Sequence, residues 1–411
     1  MPREREGPAE GSDECERSGD RVITVIGYDG GDLTPEARER IAAAELVVGG
    51  ARHLAALAPN TPTRAWSSIS EDLQALVALD GDGVVLASGD PGLFGPLRRL
   101  REQTDEVEVL PALSSVQLAF ARAALPWDDA LVVTAHGRTL RRAVNVCRAH
   151  PKVAVLTGPG TGPAEIAAAL RGTSRVLFVA THLGTPEEAC RWVCPEEAET
   201  LSWEDPNVVL VVDRERSVRP GMGWLAGREG PGEWALPEDA FSHRDAMVTK
   251  SEVRALVLAK LGPRLGDLVW DVGSGSGSVA VECARLGAAV VAVEKGSVEH
   301  LRENVATFGV DVQVVEGAAP AALEGLPDPD AVFVGGGGDD VVEVVSACLA
   351  REPRVVVVAL AAVERVAPVQ AALSAYRVEG VQLQASRLRP LGGATGLAAT
   401  NPVFVLWGTR P

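Results

Sequence analysis

The sequence predicts an α/β protein of two domains. Short apolar segments recur along the whole chain and alternate with helix-length segments, the pattern of mainly parallel sheets. The 411 residues exceed what one domain ordinarily holds. A stretch rich in glycine, proline and charge interrupts the alternation at 217–236. With 46% hydrophobic and 23% charged residues there is ample material for two cores. The expected organisation is a disordered acidic tail (1–20), a first domain (21–216), a linker with tryptophan anchors (217–236) and a second domain (237–411).

The tail holds seven acids, three arginines and almost nothing apolar, so it has no core to join. Order is expected from Arg21-Val22, with the first strand at 22–27 (VITVIG). Thr34-Pro35-Glu36 is a helix start, Thr serving as N-cap and Pro fitting the first turn. Strands follow at 46–49, 83–88, 107–111, 130–135, 153–158, 175–181 and 207–212, each a run dominated by Val, Leu and Ala. Ser88-Gly-Asp-Pro-Gly92 is a strand-end turn whose backbone can approach a ligand, although Asp-Pro-Gly alone is an ordinary turn. Cys190 and Cys194 would lie one turn apart were their segment helical.

In the second half strands are expected at 268–273, 289–294, 312–317, 331–336, 354–360, 381–386 and 403–408. The first runs into Gly273-Ser-Gly-Ser-Gly277, and a helix opens directly after it. Such a loop brings backbone N–H groups and a helix N-terminus to a ligand. A dinucleotide fingerprint would want a third glycine where Ser278 stands. Glu294, 21 residues after Gly273, ends the next strand, where a carboxylate can accept from both hydroxyls of a ribose. A glycine turn without a ligand is the bland alternative, and the ordered set of strand, loop, helix, strand and acid weighs against it.

That set resembles motif I and the ribose-binding acid of class I S-adenosylmethionine (SAM) methyltransferases, which have a Rossmann-like fold. Ser242–Arg254, Val334–Gly338, Arg387-Leu-Arg389 and Thr400–Val403 extend the resemblance over about 242–408, to the decarboxylating C15-methylating precorrin domains of cobalamin biosynthesis. It implies cofactor contacts from Thr249, Gly273, Ser274, Gly275, Ser276, Gly277, Glu294 and Ala319. Over about 22–213, the segments Val25–Asp32, Leu46–Leu54, Ala87–Gly95, Pro111–Ser115, His136–Arg138, Thr157–Pro159 and His182–Gly184 resemble the tetrapyrrole methylase family, in its C5-methylating branch. That family binds SAM in a cleft between two αβα lobes. The resemblance implies contacts from Asp90, Gly92, Phe94, Ser114, Ser115 and Gly158.

Taken together, the resemblances imply SAM-dependent methylation of a precorrin at C5 and C15, with decarboxylation of its C12 acetate and one SAM site per domain. Arginine suits the many carboxylates of such a substrate. Arg244, Arg387 and Arg389 are the substrate-binding candidates in the second domain and Arg138 in the first; His243 and Lys250 are the catalytic candidates. No metal is expected. The net charge is −17, and neither half is basic, which disfavours nucleic acid as a partner and with it an RNA methyltransferase. Ser278 opposes a dehydrogenase, and a non-catalytic SAM or tetrapyrrole sensor is a further alternative. The longest apolar run, Val355–Val363, is too short for a bilayer, and the scattered cysteines read as reduced thiols. A cytoplasmic homo-oligomer is expected.

Overall fold

Residues 21–218, 225–244, 248–336 and 338–411 are described by the computed structural model, so the expected tail, part of the linker, residues 245–247 of the segment 242–254, and Gly337 lie outside the described residues. The described chain divides into two compact units, one reaching to Leu118 and including Leu183–Pro186, the other made of Ala119–His182 and Glu187–Pro411.

In the first unit Val, Ile and Leu fill strands β1 (Ile23–Tyr28), β2 (Leu46–Gly49), β4 (Gly83–Ser88) and β5 (Val107–Leu110), with a short β3 (Thr63–Ala65) at the edge. They form one sheet in the order β3-β2-β4-β1-β5, parallel throughout. Both faces are covered, which is why these strands are near-continuously apolar. Val25, Val48, Val85 and Ala87 pack on Leu73, Leu76 and Leu100; Ile26, Val47, Val84 and Leu86 pack on Ala37 and Ile41 from the other side. The helix start at Thr34 is realised: helix Pro35–Ala43 is capped by Thr34 Oγ1, which accepts from Ala37 N at 3.1 Å.

The second unit holds two sheets. In the first of these the order is β6-β7-β10-β8-β9, from β6 (Leu131–Thr134), β7 (Lys152–Leu156), β8 (Arg175–Thr181), β9 (Ala189–Val193) and β10 (Asn207–Asp213). This sheet is not mainly parallel: only β6 and β7 run together, while β10 opposes both neighbours and β9 opposes β8. Cys190 is a strand residue of β9, so Cys190 and Cys194 do not share a helical turn.

The other sheet has the order β13-β12-β11-β14-β15-β19-β16. Its members are β11 (Leu268–Val272), β12 (Ala289–Glu294), β13 (Gln313–Glu316), β14 (Ala331–Gly335), β15 (Val355–Leu360), β16 (Arg377–Leu383) and β19 (Val403–Thr409). β11 to β15 are parallel; β19 and β16 close the edge in antiparallel register. The chain leaves β11 toward β12 and returns to its other side with β14, which makes the C-terminal end of β11 a topological switch point. The expected strand at 381–386 is in fact two elements. β16 ends at Leu383 and a separate hairpin, β17 (Ser386–Leu391) and β18 (Ala394–Ala399), follows. Its leucines 388, 391 and 397 stand exposed, so no core alternation marks it in the sequence.

Within this unit the two sheets are joined through charge. Arg175, buried at the start of β8, reaches Asp213 (3.0 Å) and Asp311 (2.9 Å), and Arg216 bonds the same two acids at 2.5 Å each. Asn145 Nδ2 donates to Gly266 O (3.1 Å), and Arg141 pairs with Asp330 (2.9 Å). Trp234 is 52% exposed and does not anchor the linker; Arg228 does, donating to Arg285 O and to Leu286 O (3.2 Å). Accordingly, a chain cut at Gly230 is expected to keep its fragments together in size-exclusion chromatography at low salt, and Asp311→Ala to make them separate.

Candidate active site

Asp271, in β11 and 1% exposed, shapes the glycine loop that follows it. Its Oδ2 accepts from Ser274 Oγ (2.7 Å) and from Ala280 N (2.9 Å), tying the loop to the first turn of helix Ser278–Arg285. Its Oδ1 is buried without a partner, and burial, with the charge of Glu294 adding, pushes its pKa up to about 6. Gly273 has φ +74, and a Cβ there would lie 2.3 Å from Gly335 O, so only glycine lets β11 and β14 meet this closely. Gly273 N and Ser274 N both donate to Val293 O, and Gly277 N donates to Ser274 O. Ser276 is buried, its carbonyl accepting from Asn304 Nδ2 at 2.8 Å.

Glu294 closes the loop from β12: its Oε2 accepts from Gly275 N and its Oε1 from Gly296 N, each at 2.8 Å. Gly317 N donates to Glu294 O, bringing the end of β13 and nearby Ala319 to the same strand ends. The loop backbone, the carboxylate with remaining lone pairs and the close approach fit an adenosyl cofactor.

The segment before the sheet is held over this loop by residues that sequence reasoning passed over. Asn304, 1% exposed, donates to Ser242 O as well as to Ser276 O and accepts from Ser242 N. His243 Nδ1 donates to Phe241 O (2.8 Å), which leaves Nε2 for other work. Arg244 is exposed. Arg254 is fully buried: Nε donates to Glu282 (3.2 Å), Nη1 to Thr249 O (2.6 Å), Nη2 to Leu236 O, and the guanidinium lies over the Phe241 ring. Glu282, equally buried, also accepts from Ala235 N and Leu236 N. Lys250 and Thr249 lead into helix Ser251–Leu261 beneath this clamp.

Arg387 has another occupation than the one expected of it. Its guanidinium grips Glu252 (2.8 and 2.5 Å) and Glu238 (2.9 and 2.7 Å), which holds Glu238 down to about 2. It thus pins the β17–β18 hairpin to the segment that carries Lys250. Arg389, two residues on along β17, is exposed on the same face of the strand.

In the first unit, β1, β4 and β5 converge at their C-terminal ends. A Cβ on Gly27 would lie 2.2 Å from Gly89 O and 2.6 Å from Ala112 N. Asp90 Oδ1 accepts from Gly92 N (2.7 Å), and Phe94 is exposed at φ +55. Ser114 Oγ accepts from Gln117 N (3.1 Å) while Ser114 N donates back to Gln117 (2.8 Å), a reciprocal cap on the helix opened by Ser115. These strand ends bring Asp90, Gly92, Ser114 and Ser115 onto one edge of the sheet. Gly158 and Arg138 belong to the second unit, where Gly158 packs against His136 and Arg138 is exposed.

Among the described residues no group of His, Cys, Asp and Glu is arranged for a metal ion, and no helix is long and apolar enough to cross a membrane. Cys147, Cys283 and Cys348 are buried free thiols.

The sheet order, the glycine loop leaving β11 and the acid ending the neighbouring strand define a class I methyltransferase fold in the second half. A family model described as "Precorrin methyltransferase domain" matches residues 239–410, and one described as "Tetrapyrrole (Corrin/Porphyrin) Methylases" matches 26–198. A Sinorhizobium precorrin-6Y C(5,15)-methyltransferase (decarboxylating) is 35% identical over 405 residues, covering 93% of this chain and 94% of that protein. A probable cobalt-precorrin-6B C(15)-methyltransferase (decarboxylating) of Pyrobaculum calidifontis is 34% identical over 42% of this chain and 93% of its own length. A cobalt-precorrin-7 C(5)-methyltransferase of Salmonella typhimurium is 32% identical over 47% of this chain and all of its own length. The chain belongs to the precorrin-6Y C5,15-methyltransferase (decarboxylating) family.

Glu282→Ala is expected to strand the buried Arg254 charge and cost about 3–5 kcal/mol in urea unfolding. A second expectation concerns pH. The fold holds the Asp271 proton more firmly than the unfolded chain does, so its stabilising contribution is complete below the ordinary carboxylate range. It is lost as pH rises through about 6. The melting temperature of Asp271→Asn, measured against that of the parent, should therefore rise between pH 4 and 7.

Proposed function

We propose that the chain methylates one precorrin twice, at C5 through its first half and at C15 through its second, and that the second half removes the carboxyl of the C12 acetate. The observation that carries this reading is collinearity, over 93% of the chain, with a relative named for both methylations, together with two strand-end sites of unlike build. SAM supplies at each site a methyl group already activated on a sulfonium. The protein's task is to align carbon with that methyl and to exclude water, and positioning of this kind supplies ~7–11 kcal/mol.

In the second half the Gly273–Gly277 backbone and Thr249 and Ala319 hold the cofactor, while Glu294 meets the ribose hydroxyls with the lone pairs that Gly275 N and Gly296 N leave open. Lys250, Arg244 and Arg389 receive substrate carboxylates. Arg387 acts by holding the hairpin in place. Loss of CO2 breaks the bond to the acetate methylene and leaves its electron pair in the conjugated ring; the methylene then takes a proton. His243 Nε2 takes that proton from solvent and delivers it to the methylene, its ring oriented by the bond from Nδ1 to Phe241 O. In the first unit Asp90, Gly92, Phe94, Ser114 and Ser115 contact the cofactor.

The test is incubation of the purified chain with the precorrin substrate and SAM, followed by mass spectrometry. Two added methyl groups and one lost CO2 are expected. Glu294→Ala should weaken SAM binding in the second half about 10- to 150-fold and accumulate a singly methylated product. An unchanged doubly methylated product from that variant would overturn the assignment of Glu294.

A further inference from the structure

At the C-terminal edge of the first sheet stands a group of polar side chains with no role in the reading so far. Tyr28 ends β1, Ser88 ends β4, and Arg52 and His53 follow β2 after two residues. β2, β4 and β1 are adjacent in that sheet, so these residues meet at the strand ends where open α/β sheets take their ligands. Arg52 Nη2 donates to Ser88 Oγ at 2.8 Å and Arg52 Nε donates to His53 Nε2 at 3.1 Å; Ser88 Oγ lies 3.3 Å from the same ring nitrogen.

His53 is 7% exposed, and its ring meets Tyr28 edge to face with centroids 5.7 Å apart. Since Nε2 accepts, the neutral ring carries its proton on Nδ1. Burial, with the charge of Arg52 adding, holds its pKa down to about 4, so it stays a neutral acceptor beside the guanidinium. Two neutral partners therefore fix the orientation of one edge of the guanidinium. No carboxylate among the described residues pairs with Arg52, whereas Arg40, Arg64 and Arg101 of the same unit each meet an acid. Nη1 makes none of these bonds and is left to a ligand. A planar guanidinium fixed along one edge and lacking an acid is built to take a carboxylate.

We propose that Arg52, oriented by His53 and Ser88, is a carboxylate receptor for the methyl transfer in the first half. The inference rests on the proposed function, whose substrate carries many carboxylates and whose cofactor carries one. The chemistry is the same for both sources, and the experiment separates them.

Arg52→Gln and Arg52→Lys are made in the full chain and assayed for each product by mass spectrometry, with SAM binding followed by calorimetry. The expected result is a KM for tetrapyrrole in the first methylation raised about 10- to 100-fold by Arg52→Gln, with kcat much less affected. Arg52→Lys, which keeps the charge and loses the fork, should fall between. His53→Phe, which keeps the ring against Tyr28 and removes the acceptor, should raise the same KM by a smaller factor. The second methylation and the decarboxylation serve as an internal control and should not move. A loss of SAM affinity in place of the KM change would support the receptor and assign the carboxylate to the cofactor. KM and SAM affinity both unchanged in Arg52→Gln would overturn the proposal, while a parent chain that adds no methyl would overturn the functional reading itself.

Discussion

The buried pair of Arg254 and Glu282 is the contact on which the second half depends. Neither side chain touches solvent, and each is surrounded by partners: backbone carbonyls of Thr249 and Leu236 for the cation, backbone N–H groups of Ala235 and Leu236 for the anion. A buried ion pair is tolerated only when its remaining hydrogen-bonding capacity is filled in this way. The arrangement has a geometric result. It draws the chain segment that precedes the sheet down onto helix Ser278–Arg285, whose first turn is the end of the glycine loop. The residues proposed to meet the substrate thus share a support with those proposed to meet the cofactor.

The two candidate sites solve one problem by different local means. In each, parallel strands end close together and side chains are removed where backbones must meet, at Gly27 against Gly89 and at Gly273 against Gly335. In the second half a buried acid, Asp271, then organises the turn; in the first, short polar caps at Asp90 and Ser114 do so. The methyl transfer proposed for each site asks for a line of approach more than for an acid or a base.

Local features were legible in the sequence. The cap at Thr34, the loop at Gly273–Gly277 and the acid at Glu294 each depend on a few neighbouring residues or on the register of adjacent strands. Partners far apart in sequence were not legible. Arg254 and Glu282 are 28 residues apart, and Arg387 meets acids 149 and 135 positions away, so its charge read as free for a substrate when it is committed within the chain. The β17–β18 hairpin escaped notice because its apolar residues face outward, leaving no alternation against a core. Arg52, His53 and Ser88 carry no spacing signal; two adjacent strands, β2 and β4, bring them together.

Arg175, Arg216, Asp213 and Asp311 balance to zero charge where β8 and β10 meet the loop before β13. Arg175 has only 2% of its side chain exposed, so a neutral replacement at either acid would leave two guanidiniums to share one carboxylate in a place water scarcely reaches. The four positions are therefore coupled: a change of charge at one asks for a compensating change at another if the two sheets are to stay joined.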